Sequence, residues 1–178
     1  HACAVSSGTA ALVLALKAVG VNHGDVVLTV SHSFIATANA IRACGAEPVF
    51  IDIEPAGYNI DPAALARVLG DQCRREGEAF WYEGVDELCR LAESPLRTAK
   101  GPIGRVAAIL AVHQMGIPCD IEAIARLASE YGLPWVEDAA CAIGSEWQGE
   151  RIGRPRGDVA CFSFHPRKII TTGDGGMI

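Results

Sequence analysis

Arg105–Val112 reads R-V-A-A-I-L-A-V, and after Arg105 nothing in it offers a polar face. A run this apolar in every position suits a strand covered on both sides of its sheet, because a strand with one wet face alternates. Shorter runs of the same kind recur at Asp25–Val30 (D-V-V-L-T-V), Glu47–Ile53 (E-P-V-F-I-D-I), Trp135–Glu137 and Val159–Phe164, with a short strand at Ala2–Val5. Helical segments lie between them. Ala10–Val19 holds strong helix formers up to Gly20, and Ser33–Ala43 follows the second run. Asp61-Pro62 opens a helix with a capping carboxylate and a proline at the first helical position. Asp120–Tyr131 is apolar at 121, 124, 125, 127 and 128, one face of a helix. Buried strands alternating with helices predict an α/β fold, a three-layer α/β/α arrangement around a mostly parallel sheet.

The 178 residues suffice for one domain with a sizeable core. Net charge is −6 with no Lys/Arg-rich stretch, which argues against nucleic-acid binding. Each apolar run is interrupted short of membrane-spanning length, so no membrane partner is expected. Seven cysteines, at 3, 44, 73, 89, 119, 141 and 161, include no C-x-x-C pair. An odd number, several in apolar runs, predicts reduced thiols, a cytoplasmic protein and no metal site. The chain starts inside the A-C-A-V run and stops at G-G-M-I, and reads as an internal piece of a longer protein. Residues 70–104 carry mixed charge, Gly, Pro and the Phe80-Trp81-Tyr82 cluster. They read as an insertion, a longer loop with a helical stretch around Val85–Ala92. W-Q-G-E-R-I-G, with Gln148-Gly149 at its turn, reads as a β-hairpin.

Ligands of such sheets sit beyond the carboxyl ends of the strands. Ser7–Thr9, His113, Asp138 and Ser163–Lys168 all fall there. The Ser6-Ser-Gly-Thr9 turn is either an anion site at a helix N-terminus or an ordinary cap. Asp138 stands in V-E-D-A-A, and Lys168 follows 30 residues later, five after Ser163, in C-F-S-F-H-P-R-K. A buried carboxylate, a primary amine and an anion-binding hydroxyl are the groups needed to hold pyridoxal phosphate: the carboxylate faces the ring nitrogen, the amine forms a Schiff base and the hydroxyl holds the phosphate. Taken singly, each has a plainer reading. Asp138 is then a helix cap, Lys168 a surface lysine, Ser163 a strand-end hydroxyl and Phe34 core packing. His113-Gln114 ends a strand on the same edge, within reach of a ligand. His165 reads as structural or near a phosphate, and Arg167 as a phosphate partner or a solvent-facing side chain. The first turn lacks G-x-G-x-x-G, which argues against a nicotinamide site.

S-S-G-T-A-A-L, S-H-S-F-I-A-T-A-N-A, V-F-I-D-I, V-H-Q-M-G-I-P-C-D, V-E-D-A-A, F-S-F-H-P-R-K and T-T-G-D-G-G-M, in this order, resemble the DegT–StrS family of sugar aminotransferases. The resemblance spans nearly the whole chain outside residues 70–104. It implies a seven-stranded, mostly parallel large domain of the aspartate-aminotransferase fold. Residues 1–178 would form most of that cofactor-binding domain, with a small C-terminal domain and an N-terminal segment lying outside them. It implies pyridoxal 5'-phosphate as cofactor, a nucleotide-linked keto sugar and an amino acid such as glutamate as substrates, and a homodimer with a shared active site. Residue by residue, it implies that Gly8, Thr9 and Ser163 hold the phosphate and Phe34 stacks on the ring. Asp138 would pair with the ring nitrogen and Lys168 would carry the cofactor as a Schiff base. Cys141 departs from the pattern, standing where many members have Gln or His near the cofactor's phenolic oxygen. A sugar dehydratase of the same fold and a non-catalytic cofactor-binding protein remain alternatives.

Overall fold

The computed structural model describes residues 1–154 and 156–178. In chain order the elements are β1 (Ala4–Val5), α1 (Gly8–Ala18), β2 (Val26–Val30), α2 (Ala36–Ala43), β3 (Glu47–Ile51), α3 (Pro62–Asp71), β4 (Cys73–Glu76), β5 (Ala79–Tyr82), α4 (Val85–Arg90), β6 (Val106–Val112), α5 (Ile121–Tyr131), β7 (Trp135–Asp138), β8 (Glu146–Trp147), β9 (Glu150–Arg151), β10 (Val159–Ser163) and β11 (Gly176–Met177). Two 3₁₀ turns lie at Pro95–Thr98 and Gln114–Gly116.

Seven strands form one sheet in the order β1-β11-β10-β7-β6-β2-β3. The five from β10 to β3 run parallel, and β11 pairs antiparallel with both β10 and β1. Every residue of β2 and of β6 is buried, as their largely apolar runs predict. Alternate side chains feed two cores. Val27, Ala108, Leu110, Val136 and Cys161 meet Ala11, Leu12, Leu16 and Ile41 of α1 and α2 on one face. Val26, Leu28, Val49, Ile109 and Ala111 meet Leu65, Leu69, Ile124 and Leu127 of α3 and α5 on the other. This is the expected three-layer α/β/α fold.

The caps explain the helix starts. Ser7 Oγ accepts from Ala10 N at 3.1 Å, which pulls the start of α1 back to Gly8. Asp61 and Asp120 accept from Ala63 N and Ala123 N, starting α3 and α5 where the sequence places them. Helix α2 begins later than Ser33, at Ala36, because residues 31–35 form bends and a turn first. The Gln148-Gly149 turn joins β8 to β9 with φ of 50° and 78°, both left-handed as a type I′ hairpin needs.

Residues 70–104 are more ordered than a loop. β4 and β5 pair antiparallel about a turn in which Gly77 takes φ 62°, and α4 follows. The aromatic cluster drives this: Phe80 is buried and its ring packs 5.1 Å from that of Tyr131 on α5. Tyr82 N donates to Gly104 O at 2.8 Å and Trp81 bridges to Arg105. The hairpin therefore sits at the amino end of β6, away from the carboxyl ends of the parallel strands.

Candidate active site

β2 connects outward to β3, and the chain then crosses back to lay β6 on the other side of β2. Helix α2 leaves β2 on one face and α5 leaves β6 on the other, so the sheet parts its connections between these two strands. Crevices at such switch points are where open α/β sheets bind ligands. A cavity of about 360 Å³ lies there. Its walls come from the segments after five strands: Ser7–Thr9 after β1, Phe34 and Thr37 after β2, His113–Met115 after β6, Asp138–Cys141 at β7, and Ser163–Lys168 at β10. All six residues singled out from the sequence, Gly8, Thr9, Phe34, Asp138, Ser163 and Lys168, line it.

Asp138 ends β7 and is buried. Its Oδ2 accepts the Thr37 hydroxyl at 2.9 Å and its Oδ1 accepts Ala140 N at 3.2 Å. A carboxylate has about four lone-pair sites, so these two bonds, the ones it makes among the described residues, leave it under-satisfied where it lines the cavity. Burial pushes its pKa above the ordinary range, against the pull of the Thr37 hydroxyl, the Ala140 amide, Lys168 and His113.

The opposite wall is built for an anion. The amides of Gly8 and Thr9 stand in the first turn of α1, where no carbonyl lies one turn back, and the helix dipole adds positive potential. Ser163 packs directly against Gly8. A Cβ on Gly8 would lie 2.6 Å from Ser163 Cβ and 3.0 Å from its Oγ, so only glycine lets the turn approach the hydroxyl this closely. Lys168 projects from a turn closed by its own N–H to His165 O at 2.8 Å. The Nζ lies 3.1 Å from Cys141 Sγ. Phe34 is 77% exposed at the rim, so it is no part of the core; the ring is free to cover a ligand.

Behind the cavity lies a polar pair. His113 Nδ1 accepts from Cys119 N at 3.2 Å, which leaves the ring proton on Nε2, 3.1 Å from Glu137 Oε2. Glu137 Oε1 accepts from Gly157 N at 2.8 Å and Arg156 N at 3.0 Å. Burial alone would raise Glu137, but the His113 contact and the two amides outweigh it and hold the carboxyl below its ordinary value. His113 thus spends both nitrogens on the protein, and of the pair His113-Gln114 the imidazole braces the strand ends rather than reaching out. Gln114 is braced too: its N–H donates to Asn59 Oδ1 at 2.9 Å and its side chain donates to His32 O.

Thr37 and Glu137 escaped the sequence reading. Both stand inside runs that were read, Thr37 three residues after Phe34 and Glu137 just before Asp138. Helix periodicity places Thr37 one turn beyond Phe34 on the α2 segment, but that it meets Asp138 depends on the fold.

The donor set fits pyridoxal phosphate. An under-satisfied buried carboxylate suits a protonated ring nitrogen, the α1 turn with Ser163 suits a phosphate, and Lys168 supplies an amine within the same cavity. Known proteins point the same way. The sequence model of the DegT/DnrJ/EryC1/StrS aminotransferase family matches residues 1–76 and 91–178. GDP-perosamine synthase from Caulobacter vibrioides is 38% identical over 178 residues, all of this chain and 39% of that protein. The 3-amino-5-hydroxybenzoate synthase from Amycolatopsis mediterranei is 34% identical over 178 residues, again all of this chain and 37% of that protein. The crystal structure of NtdA from Bacillus subtilis, with bound cofactor PMP, superposes with a TM-score of 0.70 at 30% identity, covering 99% of this chain and 32% of that one. The chain spans about two-fifths of the length of the curated relatives it matches.

Proposed function

Because the chain belongs to the DegT/DnrJ/EryC1/StrS aminotransferase family, we propose that it forms the cofactor-binding part of a pyridoxal-phosphate-dependent aminotransferase that acts on a keto group of a nucleotide-linked sugar, with an amino acid such as glutamate as donor. The observation that carries this reading is the placement of Asp138 and Lys168 on adjoining walls of one cavity, with the α1 N-terminus and Ser163 closing its other side. The sugar acceptor rests on relatives named for perosamine synthesis. Residues 1–178 serve as the large domain; a homodimer with a shared site and a cytoplasmic location belong to the same proposal.

Pyridoxal phosphate supplies an electron sink that lets an amino group move from one carbon skeleton to another. The protein's residues do the rest. Asp138, held by Thr37 and Ala140, places negative charge where a cationic ring nitrogen must stay protonated. Its burial makes that charge costly without a partner and strongly attractive to one. The amides of Gly8 and Thr9 and the Ser163 hydroxyl would hold the phosphate end. Phe34, exposed at the mouth, would cover a bound ring and exclude water from it. Lys168 is the amine that would hold the cofactor covalently, and its Nζ, once free, would serve as the group that holds and moves a proton in the cavity.

The test is to add pyridoxal phosphate to the full-length protein, record its absorption spectrum, and add glutamate. Borohydride should fix the cofactor on Lys168, and glutamate should convert the unfixed cofactor to its amine form. A bound chromophore that no amino acid converts would move the reading to a dehydratase or a non-catalytic binder. No bound chromophore would remove the cofactor assignment.

A further inference from the structure

Cys141 is the side chain that sets this cavity apart from the pattern its residues otherwise resemble. It lies three residues after Asp138 on a tight turn held by Ala142 N to Ala139 O at 2.9 Å, between alanines that are both fully buried. The turn is clamped from the β6 side as well. Gly116, with φ 85°, lies against it so closely that a Cβ there would sit 2.9 Å from Cys141 O. Ser145 Oγ donates to Gly116 O at 2.7 Å and ties the two segments together. The backbone of Cys141 therefore has little room to withdraw its sulfur. That sulfur is exposed to the cavity and lies 3.1 Å from Lys168 Nζ. The other thiols lack this combination. Cys44, Cys119 and Cys161 are buried, Cys73 and Cys89 are half-buried, and among the described residues exposed Cys3 has the Ala4 carbonyl at 3.8 Å and no amine.

We propose that Cys141 and Lys168 form an oxidative modification site, at which a peroxide turns the sulfur–nitrogen contact into a covalent bond. In the first step the Cys141 sulfur attacks hydrogen peroxide. An S–O bond forms, the O–O bond breaks, and the leaving oxygen departs as water with the thiol proton. Sulfur is oxidised by two electrons to a sulfenic acid, the reversible first rung of cysteine oxidation. In the second step the neutral Lys168 amine attacks that sulfur. An N–S bond forms, the S–O bond breaks, and the oxygen leaves as water with one amine proton. The product is a sulfenamide with no further change in oxidation state. A thiol reductant attacking the sulfur restores both side chains. The contact already holds nitrogen and sulfur within reach, so the second step needs only a small side-chain movement. Because the same amine carries the cofactor under the proposed function, cofactor attachment and cross-linking exclude one another.

The full-length protein is loaded with pyridoxamine phosphate, which leaves Lys168 free, and is treated with hydrogen peroxide. A parallel sample carries pyridoxal phosphate. Remaining thiols are blocked and the digests are mapped by mass spectrometry. The expected result is a peptide containing Cys141 joined to one containing Lys168, lighter than their sum by two hydrogens and separated by dithiothreitol. Cys141→Ser should abolish the joined species and Cys3→Ser should leave it intact. Pyridoxal phosphate should slow its formation at least tenfold. Equal formation in both samples would leave the modification site standing and remove Lys168 from cofactor attachment. If the protein binds neither form of the cofactor, Lys168 is free throughout and the cross-link is still read. Cys141 recovered as sulfinic acid with Lys168 unlinked, a bridge that retains oxygen, or an unmodified Cys141 would each overturn the proposal.

Discussion

The hydroxyl of Thr37, on helix α2, donates to Oδ2 of Asp138 at 2.9 Å across 101 residues of sequence. Ser33 Oγ lies 2.6 Å from the same Thr37 oxygen, so the carboxylate is oriented by a short relay from the segment after β2. Thr37→Val keeps the shape and removes the donor. A net hydrogen bond of this kind is worth about 1–1.5 kcal/mol. The dissociation constant for pyridoxal phosphate should rise up to roughly tenfold, as read by equilibrium titration, and the melting temperature of the cofactor-free protein should fall by no more than a few degrees.

Asp138 destabilises the cofactor-free protein. Its folded pKa is raised by burial, so folding favours the protonated acid. Below the ordinary Asp range the group is neutral in both states and costs nothing. As pH rises through that range the unfolded chain ionises first, and stability falls until the folded carboxyl has ionised as well. Asp138→Asn should therefore stabilise the cofactor-free protein at neutral pH by about 1 kcal/mol, in the manner of other changes that relieve a functional site. The gain should vanish in acid, and cofactor binding should be lost. Denaturant melts at two pH values check this; a variant less stable than the parent at neutral pH would contradict it.

Glu137 behaves in the opposite sense. Its folded pKa is lowered, so its contribution is complete above the ordinary Glu range and disappears as pH falls through the folded value. Glu137→Gln offers an NH₂ where either His113 Nε2 or the Gly157 and Arg156 amides need an acceptor. Breaking a buried set of this kind should cost about 3 kcal/mol at neutral pH. The gap to the parent should close in acid, which chemical denaturation across pH will show.

Gly8→Ala puts a methyl group against Ser163 at 2.6 Å. Strain of this order costs about 1–3 kcal/mol and pushes the α1 turn away from the hydroxyl. Affinity for the phosphorylated cofactor should fall more than affinity for its dephosphorylated analogue. Equal losses for the two ligands would place the phosphate elsewhere.

The β4–β5 hairpin lies at the amino end of β6, opposite the cavity. Phe80→Ala should lower stability by about 3 kcal/mol through lost packing on Tyr131. It should leave the Michaelis constants of the full-length enzyme within about twofold, since it touches no cavity wall. A large change in the Michaelis constant alone would tie the hairpin to the substrate path.

The buried strands were legible along the chain because a strand covered on both faces carries few polar side chains; β6 has none, and the one in β2, Thr29, satisfies its hydroxyl on Leu110 O. The caps Asp61 and Asp120 were legible for a similar reason, since they act on amides two or three residues away within their own segments, whereas Ser7 became the cap of α1 only in the structure. The carboxyl-end positions of Gly8, Asp138, Ser163 and Lys168 follow from the alternation of elements, and their order along the chain carries the family resemblance. The hairpin at 73–82 was missed because its stability comes from Phe80 packing on Tyr131, a contact between distant segments. Thr37 meeting Asp138, His113 spending its ring on Glu137, and Cys141 lying beside Lys168 are likewise products of the fold. Local periodicity reports which face of an element is dry, since that depends on neighbours one turn or one pleat away. Which polar atoms then share a bond depends on strand order and register, and these are settled when the two cores close on opposite faces of the sheet.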